Sequence, residues 1–412
     1  MKILSITAQK PDSTGSGVYL TELVKGFSQM GIEQAVVAGV YKEDLPSFPQ
    51  EVKVFPVYFM TEELNFPIAG MSDEMPYQST RYCDMTEDMT ERFRKVFTQQ
   101  VESVMEEFAP DVILCHHLYF LTSLVRELCP EMVVCGICHG SDLRQIKKNP
   151  WQREFIRTQI RKLDKIFTLH EEQRQEICDW YGCGGGQAVV IGTGYNSSIF
   201  YREKRERKAK KDKLGLIFAG KIAKKKGVVS LIRALGRLPD ARDQIRLSLA
   251  GGYGNEEEYA LIHRIAKQSP YEVRFLGKLT QQELASEMNR NDIFVLPSFY
   301  EGLPLVIIEA LACGLRAVCT DLPGIRFWLE ENVPGNGVVF VEPPRMRYED
   351  EPVEEDLPLF ERRLAEAVQK AEQVQLPGEE VLRKISWFSL CRRIRTELSN
   401  DLVKKDIDKL YI

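Results

Sequence analysis

Short apolar segments alternate with longer amphipathic segments along most of the chain. A short apolar segment is typical of a buried β-strand, and the segments between have apolar residues at helical spacing. In the first half, the predicted strands are Ile3–Thr7, Val36–Val40, Asp111–Cys115, Val133–Cys138, Lys165–Leu169 and Val189–Ile191. The alternation predicts an α/β protein in which helices cover both faces of a mostly parallel sheet.

The same alternation begins again after residue 213. The second set of predicted strands is Leu214–Ala219, Ile245–Ala250, Val273–Leu276, Ile293–Leu296, Ala317–Thr320 and Gly337–Val341. We therefore predict two successive doubly wound, Rossmann-like domains facing a central cleft, the first over residues 1–195 and the second over residues 196–385. A last helical segment, residues 386–412, closes the chain. Ligands of such sheets bind beyond the carboxyl ends of the strands, so functional residues are expected in the strand-to-helix turns.

Composition narrows the class of protein. The chain has 412 residues, a formal net charge of −5 and 44% hydrophobic residues, and so gives no basic surplus for a nucleic-acid partner. No segment reaches the roughly 18 apolar residues of a membrane span, and the first residues do not form a signal peptide. We therefore predict a cytoplasmic protein. The ten cysteines are irregularly spaced and are expected to be buried and reduced.

A strongly basic stretch, residues 202–213, lies between the two sets of predicted strands and is the candidate for a linker. It has eight basic and three acidic residues. Such a charge run is typical of a solvated linker. The alternative is a patch that docks on anionic lipid headgroups, which would place the protein peripherally at the inner face of the membrane.

The densest group of candidate functional residues follows the predicted strand Ile293–Leu296. Pro304 fits the first turn of a helix that runs to Gly314, and no Ser, Thr, Asp or Asn precedes it as a cap. The N–H groups of this helix would therefore be available to bind an anion such as phosphate. Glu309 interrupts the apolar face of the helix and needs a hydrogen-bonding partner, which a ribose diol would supply. The alternative is that Glu309 pairs with a basic residue and that Glu301, in the preceding loop, is only a surface charge.

Two further turns contain candidate ligand-binding residues. Lys221 and Lys226 flank a short loop between a strand that ends at Gly220 and a helix that starts near Gly227. Two fixed cations there would neutralise a diphosphate without a metal ion, whereas the alternative is a solvated basic loop. His139 follows the strand Val133–Cys138 and is expected to donate a hydrogen bond into the cleft, unless it is a satisfied buried histidine.

Gly15 and Gly17 precede a helix predicted to begin at Val18, and glycines there allow close approach of a ligand. A nicotinamide-dinucleotide fingerprint would need a third glycine at the position of Leu20, and an acidic residue after the strand Val36–Val40. Neither is present. The glycine turn therefore does not match that class of cofactor site.

Together these motifs resemble those of the family 4 retaining glycosyltransferases, which have the two-domain GT-B fold. Glu301 and Glu309, with seven residues between them, match the E-x₇-E signature of that family. The other matching elements are Gly220–Gly227, Gly194–Phe200 and His139–Asp142. The resemblance covers the chain from Gly15 to about Glu330. Two departures are Lys221, where the family usually has Arg, and Gly-Ser-Gly in place of the common Gly-Gly.

The resemblance implies a transferase that moves a sugar from a nucleotide-diphosphate donor, with UDP-sugar as the first choice, to an acceptor hydroxyl with retention. It implies catalytic roles for Lys221, Lys226, Glu301 and His139, with the two lysines on the diphosphate. It implies donor binding by Gly15, Gly17, Gly302, Leu303, Pro304, Leu305 and Glu309. It also implies that the C-terminal helix folds back onto the first domain, and that no metal and no cofactor is needed.

Two other functions stay open at this point. One is a non-catalytic sugar-nucleotide-binding or scaffold protein, because binding residues persist without turnover. The other is an NAD-dependent oxidoreductase, which shares the architecture but lacks its glycine fingerprint here. Glycan, lipid and small-molecule acceptors are all compatible with the sequence, which does not indicate the linkage or the oligomeric state.

Overall fold

The computed structural model describes residues 1–44, 46–184, 186–203, 213–238, 244–348 and 350–410, with side chains described up to residue 405. The chain divides into two compact units. The first is Met1–Thr193 together with Trp387–Ile412, and the second is Gly194–Ser386. Most of the basic stretch for which lipid docking was considered, residues 204–212, lies outside the described residues.

The first unit contains a parallel sheet of seven strands covered by helices. The strands of the unit, which include a separate short pair, are β1 (Lys2–Thr7), β2 (Glu33–Val40), β3 (Lys53–Tyr58), β4 (Ala69–Gly70), β5 (Thr80–Arg81), β6 (Val112–His116), β7 (Val133–Ile137), β8 (Lys165–Thr168) and β9 (Ala188–Val190). Its helices before the second unit are α1 (Gly15–Gln29), α2 (Glu87–Phe108), α3 (Phe120–Leu128), α4 (Ser141–Lys148), α5 (Arg153–Ile160) and α6 (Glu171–Tyr181). The large sheet has the order β3-β2-β1-β6-β7-β8-β9, and β4 pairs with β5 separately.

The strand order of this sheet reverses between β1 and β6. The chain builds β2 and β3 on one side of β1 and then returns to place β6 on its other side. The carboxyl ends of β1 and β6 therefore form the crevice at which ligands of doubly wound sheets bind. Gly15, Gly17 and His116 lie in the segments that follow or end these two strands.

Helix α2 was missed by the sequence analysis, which did not place an element between Val40 and Asp111. Its apolar side chains follow helical spacing, and Phe93, Phe97 and Val101 are fully buried. Thr86 caps the helix, because its hydroxyl accepts a hydrogen bond from the backbone N–H of Met89. Helix α2 therefore supplies a large part of the core on one face of the first sheet.

The second unit repeats the same construction. Its strands are β10 (Leu214–Ala219), β11 (Ile245–Ala250), β12 (Glu272–Gly277), β13 (Ile293–Leu296), β14 (Arg316–Thr320), β15 (Val338–Val341), β16 (Met346–Tyr348) and β17 (Glu351–Pro352). Its helices are α7 (Val228–Leu235), α8 (Glu256–Lys267), α9 (Gln281–Asn289), α10 (Leu305–Ala312), α11 (Ile325–Asn332), α12 (Leu357–Ala371) and α13 (Glu379–Arg383).

The main sheet of the second unit is parallel, with the order β12-β11-β10-β13-β14-β15, and β16 and β17 form an antiparallel pair. Its order reverses between β10 and β13, so the carboxyl ends of these two strands form the second crevice. The predicted α/β class with two doubly wound sheets is confirmed.

The last helix, α14 (Trp387–Leu410), belongs to the first unit. Lys165 of β8, whose side chain is 12% exposed, pairs with Glu397 at 2.9 Å and Asp401 at 3.1 Å. Gly26 of α1 lies directly under Cys391 of α14, and a Cβ added at Gly26 would be 2.4 Å from the Cys391 Sγ. Within the described residues, no helix is both long and apolar enough to cross a membrane.

We expect Gly26→Ala to lower the free energy of unfolding by about 1–3 kcal/mol, because the new methyl group overlaps the Cys391 side chain. Gly15→Ala in the same helix is the matched control, since its Cβ would meet no described atom within 4 Å. Cys391→Ala in the Gly26→Ala background should recover part of the loss. Equal changes for the two glycine variants in urea titrations would contradict this account of the contact.

Candidate active site

The crevice of the second unit brings together the loops that follow β10 and β13. The backbone N–H of Phe299 donates a hydrogen bond to the Lys225 carbonyl at 3.1 Å, which ties the two loops to each other. Gly227 has a φ of +68°, and a Cβ there would be 2.0 Å from the Pro297 carbonyl oxygen. Only glycine allows this approach. The two sequence segments predicted to hold a donor therefore meet at one point of the sheet edge.

Lys226 and Glu301 form an ion pair at this point. Lys226 Nζ donates to Glu301 Oε1 at 2.7 Å and also lies 3.3 Å from the Tyr300 carbonyl oxygen. The two side chains are 24% and 17% exposed, so each charge is partly withdrawn from water and held by the other. Sequence analysis placed both residues at the site but did not foresee that they contact each other.

Lys221 follows the end of β10 in the same loop. Gly220 has a φ of +155°, and the backbone N–H of Ile222 donates to the Gly252 carbonyl at 2.8 Å, so the loop is anchored to the segment after β11. The Lys221 side chain is half-buried. The loop thus carries one lysine at each end, Lys221 after the strand and Lys226 before Gly227.

Helix α10 begins one residue later than predicted, at Leu305, and Pro304 is its N-cap residue. Proline fits this position because the N–H it lacks would have no partner inside the helix. Among the described residues, no side chain caps this N-terminus. The helix therefore presents backbone donors and the positive end of its dipole beside Gly302 and Leu303.

Glu309 is 8% exposed and lies in the second turn of α10. Burial raises the pKa of the Cys313 thiol to about 12, and the nearby Glu309 carboxylate adds to the shift. Cys313 is therefore a neutral thiol near neutral pH. Glu309 and Glu301 together place two carboxylates on the segment that follows β13.

Helix α1 of the first unit begins at Gly15 and not at Val18 as predicted. The Thr14 hydroxyl accepts a hydrogen bond from the Gly17 N–H at 3.1 Å, which caps the helix three residues earlier. A Cβ at Gly17 would be 2.8 Å from the Asp12 backbone nitrogen, so glycine is required there by the fold of its own loop. Gly15 has open space around its Cα. Local steric contacts therefore explain why position 17 is glycine, but they do not explain the glycine at position 15.

Three histidines cluster at the carboxyl ends of β6 and β7. His116 Nδ1 and His139 Nε2 are 3.2 Å apart with nearly parallel rings, and the His117 ring lies 4.7 Å from that of His139. The Asp142 carboxylate accepts a hydrogen bond from the backbone N–H of His139 at 3.2 Å and so fixes the position of the His139 backbone. Sequence analysis named His139 but missed His116 and His117. The available signal was a pair of histidines directly after an apolar strand.

The cluster is uncharged near neutral pH. Burial is the main cause that lowers the pKa of His116 to about 3, with a smaller contribution from His117. Burial likewise lowers the pKa of His117 and holds that of His139 well below 6.5. His116 Nε2 and His117 Nδ1 are buried and, within the described residues, have no hydrogen-bonding partner. A neutral imidazole can form hydrogen bonds with hydroxyl groups, but it cannot neutralise an anion.

The two crevices therefore differ in chemistry. The second unit offers cations, helix N–H groups and carboxylates, which suits a ligand that has both phosphates and hydroxyls. The first unit offers neutral imidazoles, which suit hydroxyls alone. In the part of the chain that the structure describes, no group of three or more His, Cys, Asp or Glu side chains is arranged to hold a metal ion.

Two family models match the chain. One, described as Glycosyltransferase Family 4, matches residues 13–198, and the other, described as Glycosyl transferases group 1, matches residues 200–350. Together they cover most of the chain in the order that the motifs indicate. The resemblance found in the sequence motifs is thereby confirmed.

Relatives and solved structures agree with these matches. A D-inositol 3-phosphate glycosyltransferase from Kribbella flavida is 24% identical over 79% of this chain and 80% of its own. Sucrose-phosphate synthase from Thermosynechococcus elongatus has a TM-score of 0.70 at 16% identity, covering 98% of this chain and 99% of that one. HepE from Anabaena, solved in complex with UDP-glucose, has a TM-score of 0.64 at 15% identity, covering 97% and 100%. The fold is GT-B, and the chain belongs to the family 4 glycosyltransferases.

Proposed function

We propose that this glycosyltransferase uses a nucleotide-diphosphate sugar, with a UDP-sugar as the first choice, and that it needs no metal ion. The observation that carries the proposal is the junction of the β10 and β13 loops. It joins Lys226, Glu301 and the N-terminus of α10, which has no side-chain cap among the described residues. A diphosphate matches this set, because its charge needs cations and its oxygens accept backbone N–H groups.

Lys221 and Lys226 are proposed to bind the diphosphate, with the backbone of Gly302–Leu305 completing its contacts. Glu309 is proposed to accept hydrogen bonds from the ribose hydroxyls, and Glu301 those from the transferred sugar. Carboxylates suit these hydroxyls because each oxygen accepts two hydrogen bonds. Glu301 keeps acceptor capacity for a sugar while it holds Lys226, since the lysine uses only one position on one oxygen.

The anomeric configuration is retained if the acceptor attacks the anomeric carbon from the same face that the diphosphate leaves. The bond between the anomeric carbon and the diphosphate oxygen breaks, and the acceptor hydroxyl oxygen bonds the carbon on the face that the diphosphate leaves. The acceptor proton passes to the departing phosphate oxygen, so the step needs no protein base. The lysines and helix N–H groups stabilise the charge that develops on the diphosphate, and they act mainly by being prearranged.

The acceptor side is proposed to use the first unit. His139 and its neighbours provide neutral hydrogen-bonding groups, which favour a polyhydroxyl acceptor or the hydroxyls of the transferred sugar. A role for Gly15 in donor binding stays a prediction, and so does a peripheral membrane contact through residues 202–213. A binding protein without turnover stays the alternative function, whereas the NAD-dependent oxidoreductase is contradicted by the family to which the chain belongs.

A thermal-shift panel tests the donor class. We expect one of UDP, GDP and ADP to raise the melting temperature, because a ligand at 100 times its Kd adds about 2.7 kcal/mol of stability. We expect UDP to give the largest shift, with or without EDTA, and NAD to give none. A shift that EDTA abolishes would contradict metal independence. No shift with any nucleoside diphosphate would contradict the proposed donor class.

Replacement of Lys226 tests the role of the cation. Lys226→Ala should lower kcat by about 10²–10³, the scale for loss of one preorganised electrostatic group. Lys224→Ala, two residues earlier on the same loop, is the matched control because its side chain is exposed, and it should leave kcat within about twofold. Full turnover by the Lys226→Ala variant would overturn the assignment.

Replacement of His139 separates catalysis from donor binding. His139→Ala should lower turnover at least about 10-fold, because the imidazole is proposed to hold a hydroxyl in the reacting geometry. The affinity for UDP should stay within about twofold, because the diphosphate is proposed to bind residues of the second unit. A large loss of UDP affinity at unchanged kcat would place His139 on the nucleotide and contradict this role.

A further inference from the structure

A segment between β3 and α2 of the first unit folds back on itself. It comprises residues 67–81 and contains the short strands β4 and β5, which pair with each other. The Thr80 hydroxyl donates a hydrogen bond to the Pro67 carbonyl at 2.8 Å, and the Thr80 N–H donates to the Ile68 carbonyl at 3.0 Å. The two arms of the segment are therefore joined at their base. We call residues 67–81 the strap.

One side of the strap is fixed to the end of β2. Tyr41 follows directly after this strand, and its hydroxyl bonds to both arms of the strap. It donates to the Gln78 carbonyl at 2.5 Å and accepts a hydrogen bond from the Ile68 N–H at 3.2 Å. A single phenol thus holds the strap at the carboxyl end of β2.

The other side of the strap is fixed to α4, the helix that follows β7. The Arg144 guanidinium donates to the Ser72 hydroxyl at 3.2 Å, and the Lys148 ammonium donates to the Asp73 carboxylate at 2.9 Å. In the sheet, the strands that lie between β2 and β7 are β1 and β6. The strap therefore crosses the carboxyl ends of β1 and β6, where the crevice of the first unit lies.

Between its two fixed sides, the strap contacts the segment that follows β1. The Tyr77 hydroxyl is buried beside the backbone of Lys10, three residues after the end of β1, but makes no hydrogen bond of normal geometry within the described residues. Gln9 precedes Lys10 and is 3% exposed, and its Nε2 also has no partner in the part of the chain that the structure describes. Buried polar groups are nearly always hydrogen-bonded, so these two atoms indicate a polar ligand at this strand end.

We propose that the strap encloses the acceptor and that Gln9 and Tyr77 bind its hydroxyl groups. This inference rests on the proposed function, because it takes the first unit as the acceptor side. The Gln9 amide nitrogen donates, and the Tyr77 phenol both donates and accepts, so both groups suit hydroxyls. A strap fixed on both sides would also block a long glycan chain that lay along this edge of the sheet. The acceptor that these features favour is therefore a small polyhydroxyl compound, such as a single sugar or a cyclitol.

Transfer to acceptors of graded size tests this inference. Wild-type protein would be incubated with each of UDP-glucose, UDP-N-acetylglucosamine, ADP-glucose and GDP-mannose. The acceptors would be glucose, myo-inositol, their monophosphates and maltoheptaose, and the readout would be release of nucleoside diphosphate above the rate of donor hydrolysis. The variants are Tyr77→Phe and Gln9→Leu, which each remove one polar group at similar size. Tyr348→Phe is the matched control, because Tyr348 is an exposed tyrosine of the second unit.

Wild-type protein should transfer the sugar to a single-ring acceptor and not to maltoheptaose. Tyr77→Phe and Gln9→Leu should each raise the KM for that acceptor about 3- to 10-fold, the scale for loss of one hydrogen bond. The affinity for the nucleoside diphosphate should stay within about twofold in both variants, and Tyr348→Phe should change neither quantity. Replacement of residues 71–79 by a short Gly/Ser linker should allow transfer to maltoheptaose. Melting temperatures would show which variants are folded.

Faster transfer to maltoheptaose than to every single-ring acceptor in the wild-type protein would overturn the inference, and so would donor hydrolysis without transfer to any single-ring acceptor. An unchanged KM in both Tyr77→Phe and Gln9→Leu would also overturn it, because these side chains would then contact only solvent. A folded short-strap variant that still excludes maltoheptaose would contradict the limit on acceptor size. All of these results leave the proposed function in place, whereas failure of the wild-type protein to bind or hydrolyse any donor would contradict the proposed function itself.

Discussion

The contact between Lys226 and Glu301 is the interaction on which the proposed site depends. Neither charge is fully exposed, so each would lose solvation without regaining it if the other were absent. The fold brings them together by reversing the strand order between β10 and β13, and Gly227 permits the close approach that this requires. Among the described residues, Lys226 and Glu301 are partners at 2.7 Å. In the proposed function Lys226 also binds the diphosphate, and Glu301 keeps acceptor positions for sugar hydroxyls while it holds that lysine.

The sequence pattern predicted the sheets well, because buried parallel strands are continuous apolar segments of limited length. The strands of both sheets were predicted in order along the chain, except β3, which lies in the segment between Val40 and Asp111 where no element was placed. Helix α2 was missed, although Phe93, Phe97 and Val101 repeat at helical spacing, because the polar residues between them and the irregular segment before them obscured the pattern. The start of α1 was misplaced because a capping threonine was taken as part of a glycine turn.

The candidate site was predictable only in part. Strand-end position and the spacing of Glu301 and Glu309 indicated the crevice of the second unit, since both depend on local sequence. The Lys226–Glu301 pair, the stacked His116 and His139 rings, and the link between Ile222 and Gly252 join residues from different strand ends. Their contacts are consequences of strand order and register, which a single sequence does not specify.

The most direct test of the account is slow hydrolysis of the donor, with the configuration of the released sugar followed by NMR. Purified protein would be incubated with UDP-glucose, ADP-glucose or GDP-mannose, all α-linked, without an acceptor and in the presence of EDTA. The account predicts that one donor releases its nucleoside diphosphate and that the α-anomer appears before mutarotation. Release of the β-anomer would contradict retention. Tight binding of a donor without any release over long incubation would contradict catalysis and favour a binding protein.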